Sequence, residues 1–160
     1  MNYGVKMRVS ELIEAMASSG KSIAVAESLT GGALLSELIS IPGASNVVQG
    51  GIVCYSTESK TQVLGVPAEI IEQYGAVSAE TAIEMASQVA QKFSANIGIA
   101  TTGVAGPDAQ EGKPVGQVYL AIAGISGSEV LSLNLTGNRD QIRHGTVSAG
   151  IDLLGKYSGT

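Results

Sequence analysis

SIAVAESLTGGALLSELIS, residues 22–40, is the stretch whose reading decides the fold. Residues 22–26 (SIAVA) form a short apolar run that reads as a buried strand. Residues 33–40 place Leu34, Leu35, Leu38 and Ile39 at helical spacing. Between them lies AESLTGG, residues 26–32, with a glutamate, two hydroxyls and two glycines at a strand-to-helix turn. Ser28 there has three readings: a helix cap, part of an anion-binding turn, or a nucleophile. Spacing alone leaves all three open.

Working outward, Ser10 is expected to cap a first helix over residues 11–18, with Leu12, Ile13 and Met16 on one face. Ile41, Pro42 and Gly43 end the second helix, and residues 47–56 (VVQGGIVCYS) read as a second strand. The paired glycines of that strand indicate a bulge or a close backbone approach. A short helix over 57–64 follows, and Pro67 opens another that ends near Tyr74 and Gly75. Ser78 starts a long helix over 79–93, and residues 96–101 (NIGIAT) form a third strand. TTGVAGPDAQEGKPVG is too rich in Gly and Pro for regular structure. Strands over 118–123 and 130–135 make a hairpin around residues 124–128, and Asn138 caps a last helix to about Leu154. Residues 158–160 are expected to fray. This alternation predicts an α/β protein: a three-layer α/β/α sandwich on a mixed, mostly parallel five-stranded sheet, with residues 1–160 as one domain.

Composition narrows the function classes. The net charge is −5, and basic residues never cluster beyond an isolated pair, which disfavours a nucleic-acid partner. Residues 118–125, the longest apolar stretch, are too few to span a membrane, and residues 1–16 lack the apolar run of a signal peptide. No membrane partner and a cytoplasmic location are the resulting expectations. Cys54 and His144 are the only residues of their types, so one chain can build neither an internal disulfide nor a Cys/His zinc site. No metal and no cofactor are expected. A hydrolase made from this chain would use a base other than histidine.

In an open α/β sheet, ligands bind beyond the carboxyl ends of the strands, and three polar loops leave strand ends here. In AESLTGG, the N–H groups of Thr30, Gly31 and Gly32 are expected to be free at the next helix start, available to a phosphate or an oxyanion. In YSTESK, a cap at Thr57 puts Lys60 at the third helical position, where the macrodipole opposes a positive charge. A solvated surface lysine is the ordinary reading; a general base with a lowered pKa is the functional one. Each pH unit of lowering takes about 1.4 kcal/mol, whereas a helix terminus supplies roughly 0.3–1 kcal/mol. Burial or a second cation must therefore do most of it. TTGVAGP puts two hydroxyls and two glycines, Gly103 among them, at a strand end: a glycine-rich turn is the ordinary reading, and Thr102 binding or orienting a polar substrate group, with Gly103 beside it, is the functional one. Late in the chain, GNRDQIR sets Arg139 and Arg143 four apart on one helix face, either as surface residues or as a carboxylate or phosphate clamp.

Taken together and in this order, AESLTGG, GGIVCYSTESK, GAVS, TTGVAGP, KPVG and GNRDQIR resemble the CinA C-terminal family, the nicotinamide mononucleotide deamidases. The resemblance covers residues 11–154. It implies an α/β/α fold with a mixed five-stranded sheet, and hydrolysis of the nicotinamide mononucleotide carboxamide to nicotinate mononucleotide and ammonia. By the same resemblance Ser28 matches the nucleophile, Lys60 its base, Tyr55 and Thr102 the residues that orient the dyad or the amide, and Arg139 and Arg143 the family's arginines. It implies a small nucleotide substrate, no cofactor, and a homo-oligomer, with a dimer as the first expectation. Leu29 replaces the family's usual cysteine and Thr57 its usual asparagine, and the loop around Gly112 is one residue short. Longer members carry an N-terminal domain for which 160 residues leave no room. Two other functions fit the same residues: a nucleotide-binding module without chemistry, and an amidase for another small pyridine or nucleotide amide.

Overall fold

The computed structural model of the chain describes residues 8–125 and 127–159. Helix α1 (Val9–Ser18) precedes strand β1 (Ile23–Glu27), helix α2 (Ala33–Ile39) and strand β2 (Val48–Val53). A single turn, α3 (Thr57–Ser59), runs into a π-helical turn (Lys60–Leu64), followed by α4 (Ala68–Tyr74) and α5 (Ala79–Lys92). Strands β3 (Ile97–Gly103), β4 (Gln117–Gly124) and β5 (Gly127–Asn134) lead to α6 (Arg139–Gly155). The sheet order is β2-β1-β3-β4-β5. β2, β1 and β3 are parallel, and β4 runs antiparallel to both β3 and β5. The mixed five-stranded sandwich anticipated from the sequence is thus the observed fold.

Period-two alternation explains the two unequal faces of the sheet. Ile23, Val25, Ile97, Ile99, Leu120 and Ile122 point to one side and pack against α1, α2 and α6 through Leu12, Met16, Leu34, Leu38 and Leu154. The opposite face carries Ala24, Ala26, Ala100 and Ala121, which meet Met85, Ala86 and Val89 of α5. Small side chains let α5 approach the sheet closely. At Gly98 an added Cβ would lie 1.9 Å from the Ala86 carbonyl oxygen, so only glycine fits. The glycines of β2 satisfy both sequence readings: the register with β1 shifts between Ile23 and Ala24, and a Cβ on Gly51 would lie 2.7 Å from the Val25 carbonyl oxygen.

Several boundaries differ from the sequence reading. Helix α1 begins one residue before Ser10, with Arg8 as N-cap and the Glu11 carboxylate accepting the Arg8 N–H. Ser56 rather than Thr57 caps α3, its hydroxyl accepting from the Ser59 N–H. β3 continues past Thr101 through Thr102 and Gly103, because these pair with Tyr119 and Val118 of β4. Ladder pairing outweighs the loop-like composition there. The tail is docked rather than frayed at Ser158, which is buried and accepts a hydrogen bond from the Ser19 hydroxyl. The readings on residues 1–7, Ser126 and Thr160 lie outside the described residues. Among the described residues, no helix is long and apolar enough to cross a membrane.

Because β2, β1 and β3 are parallel, their carboxyl ends share one edge of the sheet. The chain leaves β1 through α2 on one face and leaves β2 through α3–α5 on the other. That reversal opens a crevice at the end of β1.

Candidate active site

A cleft of about 280 Å3 lies at this crevice, close to the lower end of the range for small-molecule sites. Ser28, Tyr55, Lys60, Thr102, Gly103 and Arg139 all line it. The structure thereby brings together six of the residues singled out from the sequence.

Ser28 follows directly on β1 and is buried. Its N–H donates to the Thr101 carbonyl at 3.1 Å, which ties the serine to β3. Lys60 projects from the π-helical turn and is 2% exposed. Its Nζ lies 2.9 Å from Ser28 Oγ and donates to the Cys54 carbonyl at 3.0 Å. Burial pushes the Lys60 ammonium below the ordinary lysine range, against a smaller opposing pull from Cys54 and Glu111. The same burial pushes the Cys54 thiol up. Burial, more than a helix terminus, therefore sets the state of Lys60: α3 is a single turn, and its N-cap lies at Ser56, four residues before the lysine.

The glutamate of AESLTGG has a structural role that sequence reasoning missed. Glu27 is 1% exposed, and its carboxylate accepts the N–H groups of Gly32, Leu34 and Leu35 at 3.1, 3.0 and 2.8 Å. It fills the start of α2 from inside the protein. The Gly31 N–H is taken by the Ser28 carbonyl at 3.1 Å. Two of the three amides expected to meet a ligand, those of Gly31 and Gly32, are thus already engaged, and neither glycine lines the cleft. Both adopt positive φ, 58° and 101°, which accounts for their identity. The third amide, that of Thr30, and that of its neighbour Leu29 have no hydrogen-bond partner among the described residues; both residues are buried, and only Leu29 lines the cleft.

Glu27 supplies a stability prediction. Glu27→Gln keeps one carbonyl oxygen but turns an NH2 group toward N–H donors. The change is expected to cost about 2–4 kcal/mol, measured as a lower urea midpoint at unchanged slope.

The remaining residues divide between the cleft and its support. Thr102 donates its hydroxyl proton to the Ala76 carbonyl at 2.7 Å, fixing the GAVS segment that forms one wall. The same wall is held by Glu111, whose carboxylate accepts from the Ala76 and Val77 N–H groups, and by Lys113, which donates to the Val77 carbonyl. Gly103 stands where a Cβ would lie 2.7 Å from Val118. Tyr55 is 63% exposed at the mouth, away from the dyad, and its phenol oxygen accepts from Arg139 at 3.1 Å. Arg139 also donates to the Gly106 carbonyl at 2.6 Å. Arg143, one turn further along α6, does not join it in a clamp: its guanidinium is bound to the carbonyls of Leu29 and Thr30, outside the cleft lining. The Thr30 hydroxyl bonds the Thr101 hydroxyl at 2.8 Å. No group of three or more His, Cys, Asp or Glu residues able to hold a metal ion occurs among the described residues.

Only one sequence signal could have exposed the part played by Glu27: a lone acid ending an apolar strand a few residues before a helix that lacks its own capping side chain. The wall residues Glu111 and Lys113 gave no local signal, since their partners lie more than 30 residues away.

Comparison with known proteins places this arrangement. Residues 6–158 match the family model described as the CinA C-terminal domain. A CinA-like protein of Frankia casuarinae is 47% identical over 133 residues, covering 83% of this chain and 31% of its own length. The chain spans about a third of the length of the curated relatives it matches. Among solved structures, a competence-damaged protein (CinA) superfamily protein of Klebsiella pneumoniae superposes with a TM-score of 0.91 at 30% identity, covering 94% of each chain. The competence/damage inducible protein CihA of Agrobacterium tumefaciens gives 0.85 at 33% identity over 98% of each chain. On sequence and fold together, the chain belongs to the CinA C-terminal domain family.

Proposed function

We propose that this domain hydrolyses the carboxamide of nicotinamide mononucleotide to nicotinate mononucleotide and ammonia, with Ser28 as nucleophile and Lys60 as its base. The observation that carries the reading is the buried contact of 2.9 Å between Lys60 Nζ and Ser28 Oγ inside the cleft. A charged lysine there donates to the serine. A neutral one accepts the hydroxyl proton, and burial favours the neutral amine.

The reaction balances on these two side chains. Ser28 Oγ bonds the amide carbon as its proton passes to Lys60, and the carbonyl oxygen becomes an oxyanion. The N–H of Leu29, a residue that lines the cleft beside Ser28 and whose amide has no hydrogen-bond partner among the described residues, is the donor offered to that charge. The C–N bond then breaks, Lys60 returns the proton to the departing nitrogen, and ammonia leaves an acyl-serine. Water, deprotonated by Lys60, attacks the ester; the carboxylate product leaves and Ser28 regains its proton. At the mouth, Arg139 offers a fixed cation to the 5′-phosphate, with Tyr55 beside it. Thr102 acts through the Ala76 wall.

The test is release of ammonia with an equal amount of nicotinate mononucleotide, in the presence of EDTA. Removing the phosphate, as in nicotinamide riboside, is expected to raise KM well above that of the mononucleotide while the dyad chemistry persists. Absence of ammonia from every pyridine carboxamide would leave a binding module. The proposed homodimer is read separately, from the mass in solution by light scattering.

A further inference from the structure

Two polar residues of the cleft have no task in the reaction above. Asp108 and Gln110 both line it and are exposed. Among the described residues, neither the Asp108 carboxylate nor the Gln110 side-chain amide has a hydrogen bond or an ion pair. Both lie on the segment between Gly106 and Glu111. We propose that Asp108, with Gln110 beside it, forms the ribose subsite: the carboxylate accepts from the two vicinal hydroxyls of the nucleotide and makes the domain selective against forms that lack the diol. This rests on the mononucleotide reading above and adds to it the part of the substrate left between the dyad and the arginine.

Both ends of the segment are tied down. At the mouth, Arg139 donates to the Gly106 carbonyl at 2.6 Å, which fixes the start of the segment to the cation offered to the phosphate. The far end is a two-residue hairpin. Gln110 and Lys113 exchange backbone hydrogen bonds of 3.1 and 2.8 Å, and Glu111 and Gly112 at the tip have φ of 53° and 71°, as a type I′ turn requires. A glutamate is unfavourable in the left-handed region, and Glu111 is held there by its carboxylate, which accepts the Ala76 and Val77 N–H groups at 3.2 and 3.1 Å. Lys113 adds a bond to the Val77 carbonyl at 3.0 Å. Ala76 and Val77 line the same cleft as Ser28 and Lys60. The segment therefore runs from the arginine at the mouth to a wall of the dyad's cleft, and carries Asp108 and Gln110 between those points. A nucleotide with its carboxamide at Ser28 and its phosphate at Arg139 has its ribose between them too. Chemistry selects the contact. An ionised carboxylate only accepts hydrogen bonds and repels phosphate; with the carboxamide taken by Ser28, the diol supplies the remaining O–H donors. The Gln110 amide can both donate and accept, which suits a ribose oxygen. Because the backbone carrying both residues is clamped, little of it has to be ordered on binding.

The experiment pairs variants with a substrate that lacks the diol. kcat/KM is measured for nicotinamide mononucleotide and for its 2′,3′-dideoxy form, in the parent, Asp108→Ala, Asp108→Asn and Gln110→Ala. Affinity for the same two nucleotides is measured by calorimetry in Ser28→Ala, with and without Asp108→Ala. The parent is expected to prefer the ribonucleotide by about tenfold to a hundredfold, the worth of hydrogen bonds to a charged acceptor. Asp108→Ala should lose that factor on the ribonucleotide and little on the dideoxy form, so the preference collapses. Asp108→Asn should keep part of it, and Gln110→Ala should show a smaller loss in the same sense. A loss of one common factor on both nucleotides overturns the inference, since damage to the loop or a contact with the ring cation weakens both alike. A parent indifferent to the diol overturns it as well. If the parent releases no ammonia, the deamidase reading falls and the affinities still decide: a diol preference that Asp108→Ala abolishes upholds the subsite, and equal or absent binding of the two nucleotides overturns it.

Discussion

Ser28→Ala is expected to lower turnover of nicotinamide mononucleotide by about 10^4 or more, because the covalent route disappears with the hydroxyl. The fold should be indifferent to the change. Beyond the bond to Lys60, the Ser28 side chain makes no other hydrogen bond among the described residues, and the serine's N–H and carbonyl stay bound to Thr101 and Gly31. Substrate affinity should also survive, since the cation at the mouth, Arg139, is untouched. The signature is thus a collapse of kcat with binding of the nucleotide retained, read by ammonia release on one side and calorimetric titration on the other. Turnover within about tenfold of the parent would exclude Ser28 as nucleophile, since removing a nucleophile costs several orders of magnitude.

Lys60→Arg should be nearly as damaging, with a loss of about 10^3 or more in kcat. Arginine keeps the positive charge and cannot release its proton at working pH. It also places a permanent cation where the lysine is 2% exposed, so a lower melting temperature is expected as well. Measuring kcat on the fraction that remains folded separates the two effects. The parent should show the counterpart in its pH profile. The folded lysine has a lowered pKa, so the neutral base accumulates as pH rises through that value and kcat rises with it. Stability follows the same direction. Between the lowered folded pKa and the ordinary unfolded one, the unfolded chain holds more protons, so stability rises with pH across that window. An arginine variant that turns over like the parent would place the base elsewhere.

The sheet was legible because its signals are local. Alternation of Ile and Val with Ala along residues 23–26 marks a strand with two unequal faces, and Asn138 and Ser78 cap their helices as side chains of that type do. The convergence of three loops also followed from topology, since parallel neighbours share an end. Long-range events were not legible. Arg143 reads as a partner of Arg139 because both lie four apart on α6, yet it binds carbonyls 113 and 114 residues away. Of the amides expected to be free at the start of α2, that of Gly32 is claimed by Glu27, whose carboxylate folds forward over the turn, and that of Gly31 by the Ser28 carbonyl. The depth of Lys60 depends on a π-helical turn that packs Leu64 and Val66 toward α5, and no spacing in YSTESK announces it. Propensity and periodicity report what a segment does alone; burial of one polar group by another is decided by the assembled fold.

A neutral Lys60 at working pH is the claim on which nucleophile, base and pH dependence all depend. Its most direct test needs no substrate: the Lys60 side chain can be titrated by NMR in the folded protein, with Lys60→Arg assigning the resonance. A midpoint below the ordinary lysine range is the predicted result. Titration of Lys60 in the ordinary lysine range would contradict it.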